Sequence, residues 1–259
     1  MAVRIEGPTN GVLEWVFDRP ERLNAINRDL IDGMLAGVRA ATDAKVRAVL
    51  MRGEGRGFCA GGDVKAFGDL VEEGATVGRE LPDYLHRALR AMRELPKPVL
   101  AAVHGPCAGA GFSLALASDL VIAADTAKFT LAYLALGTSP DGGSTWSLPR
   151  HVGLKRAMEL FLSPVPLSAQ QVAELGLVNR VVPAAELLGA ARAWAFLLAS
   201  GPTRAIARLK HLLTASSTHS LEQQLELESQ LFAESTATAD FAEGVRAFNS
   251  KRPPSFRGE

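Results

Sequence analysis

Two glycine-rich turns carry the residue types that could do chemistry in this sequence. The first spans residues 53–63, GEGRGFCAGGD. The second, residues 105–111, sits inside PVLAAVHGPCAGAGFSLALASD at 98–119. Val99–Val103 is an apolar run bounded by Pro98 and Gly105, which reads as a buried strand. Residues 112–117 are apolar and alanine-rich, end at Ser118-Asp119, and read as a buried helix. A strand, a glycine turn and a helix start leave N–H groups without partners, and such a place attracts negative charge. Gly62 offers one such donor and Ala110 another. Two N–H groups aimed at one oxygen form an oxyanion hole, where a single donor is worth about 3–4 kcal/mol of transition-state stabilisation. A third loop, LGTSPDGG at 136–143, holds Asp141. Taken alone, Asp141 is a turn residue in a Pro-Asp-Gly sequence.

Rival motifs fail on spacing. A dinucleotide fingerprint beginning at Gly109 and Gly111 needs glycine at 114, where Leu114 stands. A phosphate-binding Gly-Lys-Ser/Thr does not occur. Gly111-Phe112-Ser113-Leu114-Ala115 resembles a nucleophile elbow, but Ser113 lies ten residues past Val103 and an elbow serine ends its strand. Histidines 86, 104, 151, 211 and 219 form no pair at metal-binding helical spacing, so no metal site is expected.

The whole chain narrows the classes further. Its 259 residues suffice for a large core, as one domain or one with an appendage. Lys+Arg and Asp+Glu are both 28, a balance that argues against a nucleic-acid partner. Hydrophobic content of 47% with 22% charged residues fits a soluble globular protein, and no apolar run approaches the ~18 residues of a membrane span. The N-terminal stretch lacks a signal-peptide core, and Cys59 and Cys107 are too few for a disulfide framework. A reducing cytoplasm is the expected compartment. Both cysteines flank glycine turns and read as small fillers.

Around the turns, Val12–Phe17 and residues 46–51 read as strands, and the segment after RLNAIN at 22–27 as a helix carrying Leu30, Met34, Leu35 and Val38. Residues 83–95 form an amphipathic helix ending at Pro96, with Leu120–Ala124, residues 128–131 and residues 177–182 as further strands. Alternating strands and helices up to about Val182 predict an α/β fold with crossover connections. The segment 184–248 is helical by pattern, with a plausible boundary at Gly201-Pro202. Its amphipathic faces, marked by Leu221, Leu225 and Leu231, would pack on the domain or on another subunit.

FCAGGD at 58–63, HGPCAGAGFSLALASD at 104–119, SPDGG at 139–143, RLNAIN and AFNSKRPPSF at 247–256 together resemble the crotonase superfamily, the enoyl-CoA hydratase/isomerase family. The resemblance covers nearly the whole chain. It implies a ββα spiral core over residues 1–200 and a C-terminal helical trimerisation region over 201–259, in a homotrimer or a dimer of trimers. It implies an acyl-CoA thioester substrate, no cofactor beyond the substrate's own coenzyme A, and neither nucleic acid nor membrane as partner. It places the oxyanion donors on Gly62 and Ala110. The family's hydratases use two glutamates, and those positions fall on Ser113 and Tyr133, neither a carboxylate. Asp141 occupies the place where isomerases of the family often carry a catalytic Asp. It would take a proton from C2 of a 3-enoyl-CoA and return it at C4, beside a near-apolar pocket of Phe112, Tyr133 and Leu136. His86 matches a basic histidine of the 4-chlorobenzoyl-CoA dehalogenase branch, although that branch has Trp at 133. Without the resemblance His86 is a surface residue of its helix. By the same resemblance Arg22, Leu23, Ala25 and residues 60–64 (Ala60, Asp63 and Val64 among them) line the coenzyme A path with Gly109. Phe248 and Lys251 reach the coenzyme, sometimes from a neighbouring subunit, or form a solvated tail.

Overall fold

The computed structural model describes residues 2–72, 79–163 and 165–259. A six-stranded sheet forms its spine. It is built from β1 (Val3–Thr9), β2 (Val12–Phe17), β3 (Ala48–Gly53), β4 (Val99–Val103), β6 (Leu120–Ala124) and β9 (Arg180–Val182), in that spatial order. Only the β1–β2 pairing is antiparallel. A second sheet joins β5 (Pro106–Ala108), β7 (Lys128–Thr130) and β8 (Leu167–Ser168). The helices are α1 (Arg28–Ala40), α2 (Val64–Glu72), α3 (Glu80–Glu94), α4 (Ala110–Ala117), α5 (Ser144–Val152), α6 (Leu154–Leu162), α7 (Ala169–Glu174) and α8 (Leu187–Ala199), then α9 (Thr203–Ala215), α10 (Leu221–Thr236) and α11 (Ala239–Asn249).

The central strands of the long sheet are buried on both faces, which is why they read as continuous hydrophobic runs. Leu50, Leu100 and Ile122 point to one side, where they pack with Ala191, Trp194 and Ala195 of α8. Their neighbours Val49, Met51, Val99, Ala101, Val121 and Ala123 point to the other side and join the main core. Burial on both sides defines the strands but hides their period.

Successive turns of chain stack in a regular way. Each supplies a strand to the long sheet and a shorter extended piece to a second layer. β4 runs into β5 and then α4, while β6 runs into β7, and β5 pairs in parallel with β7. On the other flank, Cys59 bridges Cys107 and Gly62 bridges Ile26, both in parallel. This second layer corrects the reading of 105–111 as a plain glycine turn. Three of those residues are a strand, too short for any period to reveal. β1 also escaped the pattern, because its Gly7-Pro8 interrupts an exposed edge strand. The 46–51 strand runs instead from Ala48 to Gly53, and α3 begins three residues ahead of the expected Asp83. The segment 64–84, which the sequence leaves unplaced, contains α2 and the start of α3, while residues 73–78 lie outside the described residues.

α4 is the centre of this arrangement. All eight of its residues are buried, as expected for a helix apolar all round. The C-terminal helices reach back to the core through two cations. Arg47 donates to Thr203 Oγ1 at 2.9 Å and Phe256 O at 3.0 Å. Lys210 Nζ lies 2.8 Å from Asp119 Oδ2 and 3.3 Å from the carbonyls of Met92 and Lys97.

Candidate active site

The second layer brings the two glycine turns together. Ala108 N–H donates to Cys59 O at 2.9 Å, and Asp63 N–H donates to Ile26 O at 3.0 Å. The 58–63 turn is thereby pinned between β5 and the 23–26 loop. Gly111 is required at this contact, since a Cβ there would lie 2.2 Å from Cys59 O. A Cβ on Gly61 would lie 3.6 Å from Ala110 N, so the two turns run side by side. Ala110 is the first residue of α4, and its N–H has no intrahelical acceptor. Its N-cap, Gly109, brings no side-chain cap. Among the described residues Gly62 N–H also finds no acceptor. Two free main-chain donors therefore border one place. Both cysteines beneath it are fully buried, and burial pushes the Cys59 thiol up to about 12, so neither offers a thiolate.

The 133–144 segment supplies the acid. Tyr133 Oη donates to Asp141 Oδ1 at 2.9 Å and lies 2.7 Å from Ser113 Oγ. With the phenol O–H directed at the carboxylate, Ser113 is the donor to the phenol oxygen. Tyr133 is 7% exposed and Ser113 1% exposed, so the pair is a buried polar chain ending on one carboxylate. Burial first, and then the Asp141 charge, push the Tyr133 phenol well above its ordinary value. It remains a protonated donor at neutral pH. Ser144 Oγ donates to the Asp141 carbonyl at 3.0 Å, and Gly142 N–H donates to His86 Nε2 at 3.2 Å. Ser113 sits one turn into α4, so the helix that opens with Ala110 also touches the Asp141 loop.

The structure thus gathers Asp141, Tyr133, Ser113 and His86 into one cluster. The first reading of His86 as a plain surface residue is corrected: its ring is half-buried and hydrogen-bonded to the loop. Phe112 is 1% exposed and stacks on Phe129 at 5.1 Å, so it belongs to the core and lines no open pocket. Leu136 is 55% exposed on a short turn after Tyr133, so Tyr133 alone of the three expected apolar groups is both buried and at the acid.

The residues expected along the coenzyme path differ in their burial. Ala60 N–H donates to Leu23 O at 3.0 Å, and Ala25 is buried beside it, while Arg22 and Val64 are exposed. Asp63 is tied to Arg19 at 2.8 Å. Burial raises its pKa, but the Arg19 hydrogen bond and the Ala66 N–H outweigh that and hold the carboxyl below its usual range. Its side chain therefore clamps the turn. Phe248 is 84% exposed and lines a groove of about 370 Å³ with Phe241, Val245 and Phe256. Lys251 follows Ser250, the C-cap of α11, with φ 52°. Neither takes part in the cluster around Asp141 formed by their own chain.

Four residues escaped sequence reasoning. Asn24 is fully buried, accepts from Arg19 N and donates to the carbonyls of Glu54 and Gly57. Arg19 grips Asp63 and the carbonyl of Ala25. Ser144 holds the Asp141 carbonyl. The Phe67 ring lies over Gly62, since a Cβ at that glycine would meet it at 2.9 Å. The signal available for the first two was a polar pair inside a loop, DRPERLN, with no helix or strand to explain it.

Stacked turns of one long strand and one short strand around a buried helix define the crotonase fold. An enoyl-CoA hydratase from Polaromonas sp. JS666 shares it with a TM-score of 0.94 at 36% identity, covering 99% of this chain and 100% of that one. A probable enoyl-CoA hydratase of Rhodobacter capsulatus is 41% identical over 250 residues, 96% of each chain. A 1,2-epoxyphenylacetyl-CoA isomerase of Escherichia coli strain K12 is 40% identical over 252 residues, again 96% of each. The sequence model described as enoyl-CoA hydratase/isomerase matches residues 7–259, and the chain belongs to that family of acyl-CoA enzymes.

Proposed function

We propose that this enzyme moves the double bond of an enoyl-CoA, with Asp141 as the single proton carrier. Asp141 removes a proton from C2 of a 3-enoyl-CoA. The electron pair spreads into a dienolate, whose oxygen is held by the N–H groups of Gly62 and Ala110. The same carboxyl returns the proton at C4 and leaves the conjugated 2-enoyl-CoA. Nothing is added or lost, so one acid is enough. Coenzyme A enters only as part of the substrate.

The observation that carries this reading is the chain Ser113–Tyr133–Asp141. It engages Asp141 Oδ1 and leaves Oδ2 without a partner among the described residues. Hydration would need a second carboxylate to activate water. Hydroxyls stand at the two positions where the resemblance puts glutamates, and the Tyr133 phenol is shifted away from service as a base. The test is conversion of trans-3-hexenoyl-CoA followed by the conjugated thioester absorbance. Asp141→Asn is expected to lower kcat by about 10²–10⁴-fold. Full activity in that variant would remove Asp141 from the mechanism.

We also propose that the chain works as a homotrimer or dimer of trimers. The exposure of Leu213, Leu221, Leu225 and Phe232 at 54–71% on α9 and α10 supports this, because such faces ask for a cover. Sedimentation showing only a monomer at micromolar concentration would end it.

A further inference from the structure

His86 touches the site by one atom, and that atom constrains what it can do. Its Nε2 accepts the Gly142 N–H at 3.2 Å, so that nitrogen carries no proton and its lone pair is engaged. The donor belongs to the peptide joining Asp141 to Gly142. The carbonyl of the same peptide receives Ser144 Oγ at 3.0 Å, with the oxygens of Ser113 and Tyr133 each 3.2 Å away. Both poles of one peptide unit are therefore gripped, by α3 on one side and by α4, Tyr133 and α5 on the other.

That unit needs a grip. Gly142 and Gly143 follow with φ of 64° and 76°, so two consecutive residues adopt the left-handed region that glycine visits freely. Gly142 is also pressed against α4, where a Cβ would lie 2.7 Å from Ser113 Cβ. Tyr133 fixes the Asp141 carboxylate only while the main chain beneath it stays put. On the Gly142 N–H side, His86 is the acceptor that α3 supplies.

We propose that His86 is a positioning residue for Asp141, acting through the Gly142 amide, and that it is not a base of the reaction. The inference rests on the role proposed above for Asp141. It separates two readings of one residue. A base must have a free lone pair aimed at the reacting proton or at water, whereas a positioning acceptor needs only to receive the amide. Glutamine keeps an acceptor oxygen at comparable reach and cannot serve as a base at neutral pH, so substitution distinguishes them.

The experiment compares wild type, His86→Ala, His86→Gln and Asp141→Asn. One readout is C2 deuterium incorporation and isomerisation of trans-3-hexenoyl-CoA in heavy water. The other is backbone amide exchange of the 134–146 segment, which reports on the Gly142 contact whether or not there is turnover. His86→Ala is expected to lower kcat about 10–100-fold, with KM changed less than about threefold, and to speed exchange at Gly142. His86→Gln is expected to restore both the protection and kcat to within about tenfold of wild type. The proposal is overturned if His86→Gln is as impaired as His86→Ala, if His86→Ala retains full activity, or if Gly142 exchanges equally in all three proteins. Should His86→Ala fail to fold, His86→Gln against wild type decides by the same threshold. A wild type that leaves trans-3-hexenoyl-CoA unisomerised, or an Asp141→Asn variant that isomerises it at the full rate, defeats the isomerase reading instead, and the amide exchange still decides the His86 contact.

Discussion

The turns around α4 and the helices after Gly201 solve opposite problems with the same kind of chain. Around α4 the apolar side chains are hidden and the backbone is left open: Ala110 is 5% exposed, yet its N–H has no acceptor among the described residues. Beyond Gly201 the backbone is satisfied inside long helices and the apolar side chains are left open. Leu213 is 66% exposed, Leu221 71% and Phe232 68%. The attachment differs as well. The site is pinned by short main-chain bonds between adjacent turns, whereas the C-terminal helices hold the core through the long side chains of Arg47 and Lys210. The two regions thus leave different kinds of demand unmet, polar in one and apolar in the other.

The sharpest way to break that contrast is to cut the attachment without touching the site. Lys210 pairs with Asp119 at 2.8 Å, and Asp119 Oδ2 also accepts Val99 N–H at the start of β4. Lys210→Met takes the cation from a carboxylate whose side chain is 27% exposed, which costs about 1–3 kcal/mol of stability. Denaturant unfolding at pH 7.5 measures the loss, and kcat at 20 °C is expected to stay at the wild-type value. The pH dependence has a definite sign. Burial lifts the Asp119 carboxyl above its usual range, and Lys210 pulls it back. Without Lys210 the folded-state pKa rises further. A group with a raised folded pKa contributes stability below its unfolded pKa and loses it as pH rises through the folded value. The deficit of the variant against wild type is therefore expected to shrink between pH 7.5 and pH 5.

The complementary test removes one donor and spares the packing. Proline is tolerated at the first helical position, where the N–H has no intrahelical partner. Ala110→Pro deletes that N–H at the start of α4 while the helix persists. If Ala110 is an oxyanion donor, kcat falls by about 10²–10³-fold, roughly 3–4 kcal/mol. The unfolding midpoint is expected to move far less than in Lys210→Met. Activity within tenfold of wild type would take Ala110 out of the oxyanion hole.

What could be read from the sequence follows the same division. The central strands of the long sheet announced themselves because Leu50, Leu100 and Ile122 are buried on one side and their neighbours on the other. The second layer did not, because residues 106–108 spend three positions in a strand between two bends. The polar cluster was legible only in part. Asp141 and Tyr133 stood out through the resemblance. The inward turn of His86 depends on how α3 packs beside the 139–143 loop, which a helical pattern in one segment does not encode. Asn24 and Arg19 act on turns 30 or more residues away, at Glu54, Gly57 and Asp63. Only the stacking of turns brings those partners together.

The smallest expected effect concerns the end of the chain, and it decides between the two readings of Phe248 and Lys251. Arg252 binds Glu243 through both nitrogens, at 2.6 and 3.0 Å, and Ser255 N–H adds a third bond at 3.0 Å. The Arg252 hydrogen bond, then the Ser255 N–H, hold the Glu243 carboxyl down at about 2. A depressed folded pKa keeps its contribution above the ordinary carboxylate range and loses it only as pH falls through about 2, so the strap stays closed at every pH where the enzyme would be assayed. Glu243→Gln opens it. Amide exchange over residues 250–259 is expected to quicken, with the global unfolding midpoint nearly unchanged. If Phe248 and Lys251 reach the coenzyme of a neighbouring subunit, a loosened tail weakens ground-state and transition-state binding alike. KM then rises by about two- to fivefold and kcat is unchanged. Lys210→Met and Ala110→Pro leave the strap intact, so a rise confined to KM in Glu243→Gln would mark the tail as a binding element supplied across the assembly. An unchanged KM beside faster exchange would return Phe248 and Lys251 to the solvent and leave substrate binding to the turns around α4.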